Sequence, residues 1–300
     1  MDDIVNARLR ERPVLWDDPA PEGVLSPFEG SGEAAAPNLL GMPTMAGEAA
    51  RRPDAIADAG PAVIALLDDI GSALERAAGE GRAWRRRIDH LATDDRKALL
   101  DALGSGEVSM VISRGAAGEG DVQVSESALP GVWIGRAEDE AGAVRAIWIE
   151  VADAPKALRE AAAARPRRDL ALEALTPPRD AMNVMGVLAE LRARAAEWRP
   201  GAPNHVMNFT LLPMTEADTA FLAKIVGEAG VHVTSGGYGA ARVIMTALRN
   251  VWAVQYLNGL GAVILDTIEI GDVPDAVLAA REDFEDSRAR LQEIREAYLP

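Results

Sequence analysis

The sequence contains no cysteine. That excludes disulfides, thiolate catalysis, zinc knuckles and cysteine-ligated iron–sulfur clusters within this chain. No run of about 18 apolar residues occurs, the length that reads as a membrane-spanning helix. Met1–Arg12 is charged and lacks the apolar stretch of a secretion signal. Arg51-Arg52 is followed by Pro53-Asp54 instead of an apolar run, so no export signal is expected and the expected location is cytoplasmic. Positive charge is also scarce, with 31 basic against 47 acidic side chains and a net charge of −16. Non-specific nucleic-acid binding, which needs clustered cations for phosphate, is therefore not expected. The three histidines, His90, His205 and His232, stand apart with no partner at ligand spacing such as H-E-x-x-H. Neither a phosphate loop nor a G-x-S-x-G elbow is present, so no metal, cofactor or catalytic residue is expected.

What is present is ordinary globular material, 48% apolar and 26% charged over 300 residues. Residues 13–61 hold eight of the 18 prolines. A segment of that composition cannot bury enough surface to offset its ordering entropy, so 1–60 is expected to be an extended or disordered arm.

The rest is organised by a duplication. Ser127-Ala128-Leu129-Pro130-Gly131-Val132-Trp133 returns as Thr246-Ala247-Leu248-Arg249-Asn250-Val251-Trp252, a shift of 119. Laid over one another without a gap, 127–158 and 246–277 share 12 identities in 32 positions. Self-similarity at a fixed offset signals a repeated supersecondary unit. Helical spacing of Val63, Leu67, Ile70 and Leu74 places a helix after Pro61, and Trp84, Ile88 and Leu91 suggest a second short turn of helix. Thr93 and Thr215 read as helix N-caps. Alternating strands follow in each copy, and Asn258-Gly259 reads as a hairpin turn in which both residues take positive φ. Asp153-Ala154-Pro155 and Asp272-Val273-Pro274 then start a helix.

The expected fold is therefore α+β: a tandem duplication of an α-β-β-β-β-α unit with mainly antiparallel sheet, pseudo-twofold related, plus flanking helices. The expected divisions are 61–92 (N-terminal helices), 93–165 (first repeat), 166–214 (linker with an amphipathic helix) and 215–300 (second repeat). Val277, Phe284, Leu291 and Tyr298 form a heptad seam along a final helix over 273–298, expected to dock on its own sheet.

The duplication serves as an internal control. Residues in both copies, namely Trp133/Trp252, Glu150/Glu269, Asp153/Asp272 and Pro155/Pro274, are assigned to the shared fold. Residues confined to the second copy, Tyr238, Arg242, Asn250, Gln255 and Tyr256, are candidates for partner binding, with Trp252 added as a large aromatic beside them.

The run Asn208-Phe209-Thr210-Leu211-Leu212-Pro213-Met214-Thr215-Glu216-Ala217-Asp218 resembles a signature of the HupH/HyaF family of hydrogenase expression and formation proteins. Gly237-Tyr238-Gly239, Asn250–Tyr256, Ile268-Glu269 and Glu282-Asp283 add to the likeness. The resemblance implies a cytoplasmic, non-catalytic chaperone for maturing the iron–sulfur small subunit of an uptake NiFe hydrogenase before export. It also implies the subunit precursor as partner, beside a thioredoxin-like maturation chaperone. One departure stands out: Ala241 occupies the place where the family is expected to carry cysteine. The alternative from residues alone is a small-molecule-binding protein or enzyme with a carboxylate site between the two repeats, near Glu150 and Glu269.

Overall fold

The structure, a computed structural model, describes residues 60–113, 120–164, 170–236 and 240–298. Apart from Gly60, the arm lies outside the described residues, as do Gly237, Tyr238 and Gly239. The described chain divides into two compact units. One comprises 60–158 and 278–298, the other 159–277.

The first unit holds α1 (Pro61–Glu80), β1 (Trp84–Arg87), α2 (Thr93–Leu103), β2 (Val108–Ile112), β3 (Val122–Glu126), β4 (Val132–Glu138), β5 (Val144–Val151) and, from the end of the chain, α6 (Arg281–Tyr298). Helix α3 (Lys156–Ala163) leads into the second unit. That unit holds α4 (Val184–Glu197), β6 (His205–Asn208), α5 (Glu216–Val226), β7 (Glu228–Ser235), β8 (Ala241–Thr246), β9 (Val251–Leu257) and β10 (Val263–Ile270).

The strands of the first unit lie in the order β1-β5-β4-β3-β2, and those of the second in the order β6-β10-β9-β8-β7. All the pairings within each set are antiparallel. The two orders correspond strand for strand, so the duplication predicted from the sequence is present and the class is α+β. Each copy also has a leading edge strand that the periodicity missed. Trp84–Arg87, expected as a helical turn, pairs with β5, and His205–Asn208 pairs with β10 at the equivalent register. Four residues gain little as an isolated helix, whereas the exposed edge of β5 or β10 satisfies their backbone groups at once.

Each unit buries its own core on a helix-covered face. In the first, Leu67, Ile70 and Leu74 of α1 and Leu99 and Leu103 of α2 pack with Ile134, Ile149 and Val151. In the second, Val187, Leu188 and Leu191 of α4 and Leu222 and Val226 of α5 pack with Ile244, Ala253, Ile268 and Ile270.

Three local expectations change. Thr215 caps α5 in a reciprocal box with Asp218, but α2 begins at Thr93 with Ala92 as its uncapped N-terminus. Asp95 instead accepts the Gly60 amide at 3.0 Å. The Asn258-Gly259 turn is not a two-residue hairpin with positive φ at both positions. It is a longer loop in which Gly261 (φ 74) takes the left-handed conformation. Finally, the helix expected over 273–298 is a short 3-10 turn at Asp275–Val277 followed by α6. The break falls where the Ala279 amide bonds the Asp153 carbonyl (2.9 Å) and Asp283 accepts the Ala280 amide (2.6 Å) at the start of α6. Helix α6 does not dock on the sheet of the repeat that precedes it. Phe284, Leu291 and Ile294 join the core beside α1, and Arg288 and Arg295 pair with Glu75 and Asp68.

Candidate partner-binding site

The turn that opens the duplicated motif is built twice by the same chemistry. The Ser127 hydroxyl accepts the Leu129 amide and donates to its carbonyl, both at 3.1 Å. Thr246 likewise accepts the Leu248 amide at 3.2 Å, while its hydroxyl donates to the Val251 carbonyl at 2.8 Å. Gly131 follows with φ 79, and its counterpart Asn250 has φ 61. Their carbonyls accept the Ala152 and Gly271 amides at 3.1 and 2.9 Å. Asn250 therefore fills the left-handed position that glycine fills in the first copy, as asparagine tolerates better than most residues.

Trp133 and Trp252 are both buried. The Trp133 indole donates to the Ala152 carbonyl at 2.8 Å, whereas Trp252 Nε1 has no hydrogen-bond partner among the described residues. Their topological places correspond, Trp133 opposite Glu150 and Trp252 opposite Glu269. Both glutamates are buried, and burial pushes both carboxyls up. Glu150 accepts the Lys156 amide at 2.7 Å, and an Asn204 hydrogen bond moderates the rise at Glu269. Pro155 and Pro274 are buried at the start of the following turns. Asp153 accepts its neighbour's amide at 2.9 Å, and Asp272 pairs with Arg159 at 2.6 Å.

Of the second-copy candidates, Arg242 and Gln255 are brought together and Tyr256 and Asn250 are not. Arg242 lies opposite Gln255 across β8 and β9, with Thr234 of β7 and Asp266 of β10 completing one row over four strands. The first copy has Val111, Gln123, Arg136 and Ile147 in the same row. The Arg/Gln pair is thus shared in reversed order, and Thr234 and Asp266 are the polar additions of the second copy. Sequence reasoning passed over both, although an aspartate inside Val-Ile-Leu-Asp-Thr-Ile-Glu-Ile breaks the apolar pattern of a strand and was the available signal. Gln255 is buried and Arg242 and Tyr256 are half-buried, with burial raising the Tyr256 phenol.

The Asn208–Asp218 run forms the β6–α5 loop, organised by one side chain. Asp218 is fully buried, and its Oδ1 accepts the Asn183 and Val184 amides, both at 2.9 Å. Its Oδ2 takes the Thr215 amide (2.9 Å) and hydroxyl (3.0 Å). One carboxylate therefore caps α5 and the start of α4 together. Burial opposes its charge, but the amides of Thr215, Asn183 and Val184 outweigh that and hold the carboxyl below its ordinary value. The loop is tied down at three further points. Asn183 Nδ2 donates to the Pro213 carbonyl at 2.7 Å, Phe209 N–H to the Asp266 carbonyl at 2.9 Å, and Asp266 N–H to the Thr210 hydroxyl at 3.1 Å.

Comparison with known proteins now decides the family. The C-terminal conserved region of the HupH hydrogenase expression protein family matches residues 62–169 and 181–298. The chain belongs to this family. The HupH family region thus spans both copies of the duplication. The hydrogenase expression/formation protein HupH of Rhizobium leguminosarum bv. viciae is 41% identical over 78% of this chain and 81% of its own length. The hydrogenase-1 operon protein HyaF of Escherichia coli K12 is 34% identical over 78% of this chain and 80% of its own. Among solved structures, the hydrogenase expression protein HupH from Thiobacillus denitrificans ATCC 25259 is 27% identical, covering 46% of this chain and 98% of that one, with a TM-score of 0.30.

Proposed function

We propose that this HupH-family protein is a non-catalytic accessory factor in hydrogenase maturation, one that holds the small-subunit precursor in the cytoplasm until its iron–sulfur clusters are in place. The observation that carries the reading is similarity to proteins named for hydrogenase expression and formation over about four fifths of both chains. The site chemistry agrees with a binding role. The buried carboxylates Glu126, Glu150 and Asp218 accept backbone amides and hold turns in place. No helix among the described residues is long and apolar enough to cross a membrane. A thioredoxin-like chaperone is the expected companion.

The test is co-purification from cells that make, or lack, a hydrogenase small-subunit precursor. Recovery of that precursor with the protein is expected. A protein that emerges alone from cells rich in precursor would end the proposal. Tyr238 and Arg242 are proposed as contacts. The double variant Tyr238→Ala/Arg242→Ala should weaken capture while moving the melting temperature by only a few degrees.

A further inference from the structure

The two copies repeat one hairpin with the same backbone and opposite surface chemistry. Between β4 and β5, Asp139 Oδ1 accepts the Ala141 and Ala143 amides at 3.0 and 2.8 Å, and Gly142 has φ 76. Between β9 and β10, Asn258 Oδ1 accepts the Leu260 and Ala262 amides at 3.0 and 2.9 Å, and Gly261 has φ 74. Each returning strand skips one residue in its pairing, Arg145 in the first copy and Ile264 in the second. Such a bulge re-aims the side chain it carries.

On this common frame the first copy places Glu138, Asp139, Glu140 and Arg145, with Arg145 paired to Asp139 at 2.5 Å. The second places Leu257, Asn258, Gly259 and Ile264, and 257–264 contains no charged residue at all. The adjoining loops differ in the same sense. The first copy has Arg87 clamped to Asp89 at 2.8 Å, followed by exposed His90. The second has Asn208, Thr210 and Leu211. Because the backbone folds the same way with charges, the apolar set is not required by the fold.

Of that set Leu257 is buried, while Leu211, Leu260 and Ile264 are exposed, as is Met182. Leu211 is 79% exposed, Met182 79%, Leu260 64% and Ile264 43%. Hydrogen bonds already described tie the segments that carry them: Asn183, next to Met182, to Pro213, and the Phe209–Thr210 segment to Asp266, two residues from Ile264. Isolated exposed apolar residues are normal, but several on adjoining, hydrogen-bonded segments point to a contact site.

We propose that this corner, the β9–β10 hairpin with the β6–α5 loop and Met182, seats an apolar stretch of the client polypeptide. The inference rests on the maturation reading for the identity of that client. An uncharged surface offers no partner to a charged segment, which would lose hydration without compensation. A second copy of this chain is disfavoured as occupant because two molecules each carrying −16 repel one another. The occupant is therefore a different chain, apolar where it touches.

The test transplants the first copy's residues into the second, as Leu211→His, Asn258→Asp, Leu260→Ala and Ile264→Arg in the full-length protein. Leu260→Ser alone, at the loop tip, serves if the combined variant fails to fold. Two probes are used: the co-produced hydrogenase small-subunit precursor, and reduced, carboxymethylated lactalbumin as a permanently unfolded polypeptide. At least a tenfold loss of capture is expected with both probes at unchanged melting temperature. The mirror variant Asp139→Asn/Ala141→Leu/Arg145→Ile should not lose capture. Precursor held as tightly by the transplanted variant as by the parent would overturn the corner and leave the maturation reading standing. Parent protein that ignores the precursor but binds lactalbumin through the corner would do the reverse. Binding of neither probe by the parent protein removes the corner as well.

Discussion

Asn250 shows how a residue confined to one copy can still belong to the fold. Its φ of 61 matches the φ of 79 at Gly131 in the other copy, so its side chain is tolerated there more than used. Asn250→Gly should leave stability within about 0.5 kcal/mol, whereas Asn250→Val should cost ~2 kcal/mol, read from urea denaturation. The sequence comparison showed the glycine-to-asparagine difference but not the dihedral angle that explains it. Asp218 is the opposite case, a residue inside a family signature whose work is structural. Asp218→Ala leaves the Asn183 and Val184 amides without their acceptor, and a loss of ~3 kcal/mol or more is expected in chemical denaturation. Glu126 differs in sign. It is buried, and burial first, with Asp283 and Glu107 adding to it against the Gly131 amide, raises its carboxyl from 4.5 to about 7. A raised acid binds its proton more tightly when folded, so its contribution is full below the unfolded value and is lost as pH climbs through 7. Urea midpoints should fall between pH 5 and 8, and Glu126→Gln should flatten that slope. An unaltered slope in the variant would mean the carboxyl does not titrate there.

At the scale of elements, the four central strands of each copy were legible because alternation and turn residues agree. The edge strands were not, since four residues carry too little pattern and their pairing with β5 or β10 is supplied by the other end of the repeat. The end of the chain misled for a related reason. Phe284 and Leu291 do form a seam, but Val277 sits in a separate turn and the seam faces α1, more than 200 residues back. Nothing local encodes that destination. Phe284→Ala, in a core site where the ring lies against Gly131, should cost about 3–5 kcal/mol. Guanidinium unfolding measures it, and a cost under about 1 kcal/mol would mean α6 is dispensable. The polar row Thr234–Arg242–Gln255–Asp266 was half legible: the arginine and glutamine were singled out as copy-specific, but their counterparts Arg136 and Gln123, like Thr234 and Asp266, needed the register to be known.

At the scale of the whole molecule, charge and contact chemistry separate. The net charge of −16 acts at long range and is screened within roughly 10 Å at 0.1 M salt, whereas the proposed docking corner is uncharged. Capture by an Arg242→Ala variant, which lacks the proposed charged contact, should therefore change by no more than about twofold between 0.1 and 0.5 M sodium chloride. A steep loss with salt in a pull-down series would indicate that ion pairs carry the contact instead. Duplication was the feature most open to sequence, because identities at a fixed offset need no structural knowledge. What the copies do differently was less open, since the decisive contrast lies in residues such as Arg145 and Ile264 whose equivalence depends on a shared bulge.

The return of α6 to the first unit fixes an order of events during synthesis. Residues 61–158 leave the ribosome well before the layer that covers α1, which is encoded after residue 280. That earlier segment must therefore wait, with an apolar helix face bare, until Arg281–Tyr298 has been made. Premature termination anywhere before Arg281 would leave it permanently unfinished.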